Sequence, residues 1–270
     1  MTITTLDGIF AGTALPPKVF AKSGAFGTSG ITSGRLASSW YLAGYPAAAS
    51  APTPGLAGAA LSSPTTGQLE IPPSSNQTYL QNMRFRNSAG AGSFVLLCDR
   101  LWHNSGFTIT LTSAQTVNSV TFPARDKNQT TDGEGVLLGV EISTATGAGT
   151  PTITVSYTNQ AGTAGRIATN IPATIASLVA GGFIPIGLQA GDTGVRSVQS
   201  LTLSATWTSG TMHLVAYRLL SSMIIRNNFS ADSDIVDSGL LPVYDGSVPF
   251  FLVGQSTAAQ MIGSVTFTQG

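Results

Sequence analysis

Residues 201–208 read Leu-Thr-Leu-Ser-Ala-Thr-Trp-Thr, an uninterrupted alternation of apolar and small polar side chains. The same alternation runs through residues 107–112 and 152–157. A period of two puts the apolar side chains on one face of an extended strand and the polar ones on the other. Polar β-branched residues suit the solvent-facing side of an antiparallel sheet. These stretches therefore predict antiparallel strands with one buried face.

Similar patterns predict further strands after residue 78, separated by glycine-rich turn signals such as those at 88–92 and 146–149. The expected strands are 79–86, 93–98, 117–122, 135–142, 183–189, 195–199, 211–220, 249–253 and 261–268. No convincing amphipathic helix interrupts them. Many short strands of this kind predict an all-β fold, an antiparallel β-sandwich or a jelly roll.

Residues 1–75 differ in composition and predict a long extended N-terminal arm. They contain eight of the 14 prolines, and proline supplies no ladder donor, so long helices and central strands are disfavoured. A short helix around residues 34–43 is the one regular element considered there. Its apolar and aromatic residues predict that it packs on its own β domain, on a neighbouring subunit, or on both. Because these aromatic residues have few local partners, we expect the arm to become ordered only in an assembly.

The predicted organisation therefore has three parts. An arm of residues 1–75 precedes a β-sandwich core of residues 76–222. The remaining segment, 223–270, is expected either to close the sandwich or to contact a neighbouring subunit.

Charge is unusually scarce in this chain. Asp, Glu, Lys and Arg make up 9% of the residues, against about 25% in an ordinary domain, and the 12 basic residues balance the 12 acidic ones. A free soluble protein usually carries an interspersed charged surface and a net charge. The composition therefore predicts a protein that works inside an assembly, and its neutrality argues against direct nucleic-acid binding.

Targeting and membrane signals are not expected either. Residues 1–7 lack the basic and apolar regions of a secretory signal. The two long uncharged stretches, 36–69 and 167–191, are interrupted by proline, glycine and polar residues, so they do not predict a membrane span.

Few side chains are candidates for catalysis. Cys98 lies in an apolar run, which predicts a buried thiol. His103 and His213 lie beside or within apolar strand-like segments, so structural roles are favoured for both. No nucleophile elbow stands between a strand and a helix. We therefore expect no enzymatic activity.

The densest polar segment, 126–135, alternates oxygen-bearing side chains and is similar to a Ca²⁺-binding loop. Its candidate ligands are Asp126, Asn128, Asp132 and Glu134. The glycine and the distal glutamate stand at the wrong positions for an EF-hand, and flanking helices are not expected. A solvated connection between strands is the favoured interpretation, and no cofactor other than this candidate Ca²⁺ is considered.

Aromatic residues that are hard to bury locally are candidate contacts between subunits, because Trp and Tyr are enriched in interface cores. Stacking on sugars is their competing use. The candidate interface residues are Phe20, Phe26, Trp40, Tyr41, Tyr45 and Trp102.

Four segments resemble virion structural proteins of tailed bacteriophages: LCDRLWHNSG (97–106), AQTVNSVTFPARD (114–126), LQAGDTGVRSVQS (188–200) and VAYR (215–218). The likeness extends over residues 1–270. It implies a capsid decoration or cement protein, a class that commonly uses jelly-roll or other β folds and bridges capsid subunits. The implied partners are the major capsid protein and copies of the chain itself, in a homo-oligomer such as a trimer.

The implied location is the capsid of the virion, after synthesis in the host cytoplasm. A tail or head-fibre protein that binds host-surface glycans is the alternative. A glycan-cleaving enzyme is a more distant third.

Overall fold

The computed structural model describes residue 3 and residues 5–23, 36–71, 73–88, 92–171, 178–226, 229–234, 237, 241–255 and 259–270. The chain begins with a short helix, α1 (Leu6–Ala11), in which the Thr5 hydroxyl accepts the Gly8 N–H as an N-cap. No helix among these residues is long and apolar enough to cross a membrane.

The other regular elements are strands. They are β1 (Thr13–Ala14), β2 (Lys18–Lys22), β3 (Leu36–Ser38), β4 (Gly44–Tyr45), β5 (Ala59–Ala60), β6 (Thr78–Asn87), β7 (Ser93–His103), β8 (Gln115–Thr116), β9 (Val136–Thr144), β10 (Ile153–Asn159), β11 (Arg166–Asn170), β12 (Gly182–Gly187), β13 (Val195–Leu203), β14 (Thr211–Ile225), β15 (Ala231–Asp234), β16 (Pro242–Val243), β17 (Pro249–Gln255) and β18 (Met261–Gln269).

These strands pair antiparallel in two sheets. The seven-stranded sheet has the order β15-β6-β18-β2-β4, with β1 beside β18 and β16 beside β6. The eleven-stranded sheet has the order β3-β17-β7-β14-β9-β12-β11-β10-β13-β8, with β5 beside β7. The prediction of an all-β antiparallel fold is confirmed.

Part of the larger sheet closes into a barrel, because β3 pairs with β12 as well as with β17. The ring β3-β17-β7-β14-β9-β12 therefore has six strands. At Gly139 of β9, an added Cβ would lie 2.1 Å from the Phe183 ring. A residue without a side chain is needed there so that Phe183 can fill the interior.

The three larger hydrophobic cores among the described residues follow from this arrangement. The first fills the barrel and includes Phe183, Tyr217 and Phe250. The second lies between the barrel wall and the seven-stranded sheet, where Phe251 packs against Phe85. The third and largest lies on another side of the barrel wall, where strands β10, β11 and β13 cover β9 and β14. The barrel is thus the centre of the molecule.

In the described part of the chain, the residues before 75 are not set apart from the sheets. Strands β2 and β4, which precede residue 75, belong to the seven-stranded sheet, and β3 and β5 belong to the eleven-stranded one. Residues 36–38, expected to be helical, form β3; residues 34 and 35 lie outside the described residues. The first 75 residues reach partners far along the chain, such as β17 and β18, and these replace the local contacts that the segment lacks.

The C-terminal segment also takes part in the fold of its own chain. Strand β17 pairs with β7 inside the barrel wall, and β18 lies between β6 and β2 in the seven-stranded sheet. This placement corresponds to the first of the two expected alternatives, closure of the β structure.

Two predicted strands are loops instead. Residues 107–112 and 117–122 lie outside the ladders. Phe107, Ile109, Val117 and Phe122 are buried there, whereas Leu111 and Val120 are exposed. The side-chain amide of Gln115 bonds both the N–H and the carbonyl of Thr108 and so supplies the hydrogen bonds that a strand partner would provide. Residues 204–208 likewise leave the sheet after β13 ends.

Candidate functional site

The predicted interface aromatics are mostly buried inside the chain. Phe20 packs edge-on against Phe85 and Phe251 between the seven-stranded sheet and the barrel. Trp102 is fully buried and donates its indole N–H to the Ala57 carbonyl at 3.0 Å. Both rings are core residues of this chain, whereas the predicted contact between subunits needs them at the surface.

Trp40 and Tyr41 lie at one end of the barrel and not on an open surface. Trp40 is buried and stacks on Arg100, whose guanidinium carbon lies 4.3 Å from the ring centroid. Tyr41 is half-buried, and burial, with the charge of Glu141, raises the pKa of its hydroxyl. Phe26 lies outside the described residues. Among the predicted aromatics that the structure describes, Tyr45 keeps a widely exposed ring.

The exposed ring of Tyr45 belongs to a larger surface, the outer face of the seven-stranded sheet. Residues paired across antiparallel strands point to the same face. One row across β4, β2, β18 and β6 is Tyr45, Ala21, Ile262 and Arg86. The next row across β2, β18, β6 and β15 is Val19, Ser264, Arg84 and Asp232.

The apolar part of this outer face lies open to solvent. Val19 and Tyr45 are each 51% exposed and Ile262 is 61% exposed. The phenylalanine between Val19 and Ala21 points the opposite way, into the core, so β2 is apolar on both sides. An apolar stripe on a strand that already covers a core on its inner side marks a surface suited to a partner.

Charged residues of β6 and β15 border the stripe. Arg84 and Asp232 form an ion pair at 2.9 Å, and both side chains are more than half exposed, so the pair adds little stability. Strand β15, at the sheet edge, presents Asp232 and Asp234. Charged edge residues oppose strand-to-strand pairing with another chain. The outer face is therefore better suited to association than the β15 edge.

Several of the few charged side chains are buried inside the fold. Of the 12 basic and 12 acidic residues, at least seven are buried among the described residues. They are Lys22, Asp99, Arg100, Arg125, Asp126, Glu141 and Arg218. The remaining surface is therefore about as poor in charge as the sequence.

Asp99 organises one of these internal networks. It pairs with Arg125 through Nε at 3.0 Å and also accepts the Ser247 hydroxyl and the Val248 N–H. Arg125 donates in addition to the Leu61 carbonyl. The network joins β7 to the turn before β17 and satisfies a charge that burial alone would make costly.

The two histidines also have structural roles. His213 Nδ1 can only donate to the Asn104 carbonyl, 2.9 Å away, so Nε2 accepts the Ser143 hydroxyl at 2.7 Å. His103 Nδ1 accepts from Arg100 Nε at 3.3 Å, and Arg100 in turn pairs with buried Glu141 at 2.8 Å. Burial lowers the pKa of both histidines. Both are therefore neutral near pH 7.

The Ca²⁺ candidates do not converge on one position. Asp126 is buried and accepts the N–H groups of residues 128, 130, 133 and 134 and the Thr130 hydroxyl. Burial alone would raise its pKa, but these hydrogen bonds outweigh it and lower the pKa. The carboxylate thus acts as the anchor of its own loop.

The other candidates point elsewhere. Asp132 pairs with Arg196 at 3.3 Å, Glu134 accepts the Thr193 hydroxyl at 2.7 Å, and the Asn128 side chain is exposed. Within the described part of the chain, no group of three or more His, Cys, Asp or Glu side chains is placed to hold a metal ion. Asp126, Asp132 and Glu134 are engaged by separate partners, so the described structure does not bring the candidate Ca²⁺ ligands together.

Sequence reasoning missed Val19 and Ile262. Their signal was present, because Val19 is followed by Phe20 and Ile262 follows Met261, so both strands carry apolar residues on two faces.

A comparison of the chain with known protein families, with characterised proteins and with solved structures finds no match.

Proposed function

We propose that this chain is a structural protein of a bacteriophage virion that decorates or cements the capsid by bridging neighbouring capsid subunits. The observation that carries the proposal is the open apolar stripe of Val19, Tyr45 and Ile262 on a molecule with few charged residues. The resemblance of four sequence segments to phage virion proteins supports the same class.

The poverty of surface charge favours an assembled state. A dispersed monomer is normally kept apart from its copies by charge, and here at least seven charged side chains are used inside the fold. A protein surrounded by neighbours needs fewer charges because its surface is covered. The proposed partners are the major capsid protein and copies of this chain in the virion.

The apolar stripe gives such contacts a modest energy. Full burial of a valine or isoleucine is worth about 1.5–3 kcal/mol, and Val19 and Ile262 are already partly buried, so each contributes roughly 1 kcal/mol on docking. A contact of this strength is weak alone. On a repeating capsid lattice, several such contacts act together through effective concentration.

A charge placed in the stripe tests the proposal. Ile262→Asp should weaken binding to purified particles that lack the protein by more than about tenfold, which corresponds to about 1.4 kcal/mol. Ile171→Asp is the matched control, because Ile171 is 63% exposed but lies beyond β11 on the other sheet. Co-sedimentation with particles measures both, and unfolding curves verify that both variants fold.

The expected result is lost attachment for Ile262→Asp and unchanged attachment for Ile171→Asp. Equal binding by the wild type and Ile262→Asp would contradict the stripe as the attachment surface. Failure of the folded wild type to bind any particle component would contradict the function itself.

A further inference from the structure

A groove lies beside the turn that joins β16 and β17. The turn between β16 and β17, residues 244–248, separates two adjoining hollows of about 230 and 250 Å³. Tyr244 and Asp245 line both. Each hollow is smaller than a usual small-molecule pocket, but the two together reach the common range of about 300–1,000 Å³.

The turn that divides the groove is fixed by contacts to buried side chains and to the Lys127 backbone. Asp99 accepts the Ser247 hydroxyl at 2.9 Å and the Val248 N–H at 2.8 Å. The Tyr244 ring lies over the Arg218 guanidinium at 4.6 Å, and its hydroxyl donates to the Lys127 carbonyl. A turn fixed at both ends loses little freedom when a ligand binds.

Asp245 is the polar group that this turn presents. Its side chain is exposed, and within the described ranges no hydrogen bond or ion pair engages its carboxylate. In the second hollow, the Gln77 amide nitrogen donates to the carbonyls of Thr78 and Val243, which leaves its Oε1 atom to accept. Gln129 lines the same hollow from the loop anchored by Asp126. Carboxylate and amide oxygens can accept hydrogen bonds from neighbouring hydroxyl groups of a ligand.

The first hollow supplies a different surface. Ile71 and Pro73 line it beside Tyr244, so that apolar and polar surfaces meet across Asp245. A sugar ring has the same combination, with apolar C–H faces and a rim of hydroxyls. A peptide strand is less well matched, because β16 beside the groove has two residues and already pairs with β6.

Charge restricts which sugars fit. Glu70 and Asp245 both line the first hollow, and the nearby Lys18 lies 3.8 Å from Glu70 and offsets that carboxylate. Asp245 remains uncompensated and repels an acidic ligand. We propose that the two hollows form one groove for a neutral oligosaccharide, with Asp245 as its central hydrogen-bond acceptor.

Calorimetric titration of the whole protein tests this proposal. The probes are chitohexaose, maltohexaose and cellohexaose, with hexagalacturonic acid as the acidic counterpart of equal length. At least one neutral hexasaccharide should bind with a Kd of about 1 mM or tighter, and the acidic one should bind at least about tenfold more weakly.

Two variants locate the binding. Asp245→Ala should weaken binding of the neutral sugar at least about tenfold. Asp232→Ala, which removes another exposed carboxylate, on β15, should leave the affinity for the neutral sugar unchanged. Binding of none of the three neutral probes, tighter binding of the acidic one, or unaltered affinity of Asp245→Ala would each overturn the proposal.

The proposal is independent of the capsid function. Asp245→Ala should attach to particles as the wild type does, so loss of sugar binding and loss of particle binding are separable outcomes.

Discussion

The two histidines should make this protein lose stability in mild acid. Burial, the neighbouring Arg100 charge and His213 lower the pKa of His103 to about 2, and burial lowers the pKa of His213. In the unfolded chain both titrate near the ordinary value of about 6.5. Below that pH the unfolded state binds more protons than the folded state, so stability present at higher pH is lost as the pH falls.

The titration of His103 alone changes the free energy of unfolding by a measurable amount. With a pKa of about 2 in the folded state and about 6.5 in the unfolded state, His103 lowers the free energy of unfolding by about 2 kcal/mol between pH 7 and pH 5. The loss attributable to His213 has the same sign and adds to it. Carboxylates with lowered pKa values, such as Asp126 and Asp192, contribute only below about pH 4. The interval from pH 7 to pH 5 therefore isolates the histidines.

Urea unfolding, followed by tryptophan fluorescence at pH 7 and at pH 5, measures the effect. His103→Gln removes the titration but keeps an acceptor for Arg100 Nε, so its loss between these pH values should be smaller than that of the wild type by about 2 kcal/mol. His213→Gln should also lose less than the wild type. The reasoning is refuted if His103→Gln loses as much stability as the wild type over the same interval.

Two further predictions concern the interior. Asp99→Asn leaves Arg125 buried without its counter-ion and should cost about 3–5 kcal/mol in urea unfolding, whereas Ser247→Ala removes one neutral hydrogen bond and should cost about 1 kcal/mol; equal costs would contradict the importance of the ion pair. Gly139→Ala places a Cβ against the Phe183 ring and should cost about 1–3 kcal/mol. Phe183→Leu in the same chain should recover part of that loss, and a fully additive double variant would argue against the contact.

The sequence predicts the strands better than it predicts the loops between them. Alternation is equally regular in 153–157, which form part of β10, and in 107–112, which form a loop. The apolar side chains of 153–157 are all buried, and in 107–112 Phe107 and Ile109 are buried while Leu111 is exposed. What differs is the hydrogen-bond partner, which is another strand for β10 and the Gln115 side chain for Thr108. Periodicity reports burial and carries no information about that partner.

The candidate interface failed for a related reason. Trp40 is hard to bury against its neighbours in the sequence, so the sequence alone suggests an aromatic side chain that needs a partner from another subunit. In the fold its partners are Arg100 and Phe250, both distant along the chain. The exposed stripe escaped notice because alternation shows that β2 has two apolar faces but not which one meets solvent.

Retention of the protein on purified particles after a salt wash tests the central claim most directly. The claim is that attachment uses apolar and uncharged contacts. Raising the salt from about 0.1 M to about 1 M shortens the Debye length from about 10 Å to about 3 Å, which weakens exposed ionic contacts but not apolar ones. The account predicts that the amount of bound protein is the same after both washes. Release of the protein by 1 M salt alone would contradict it.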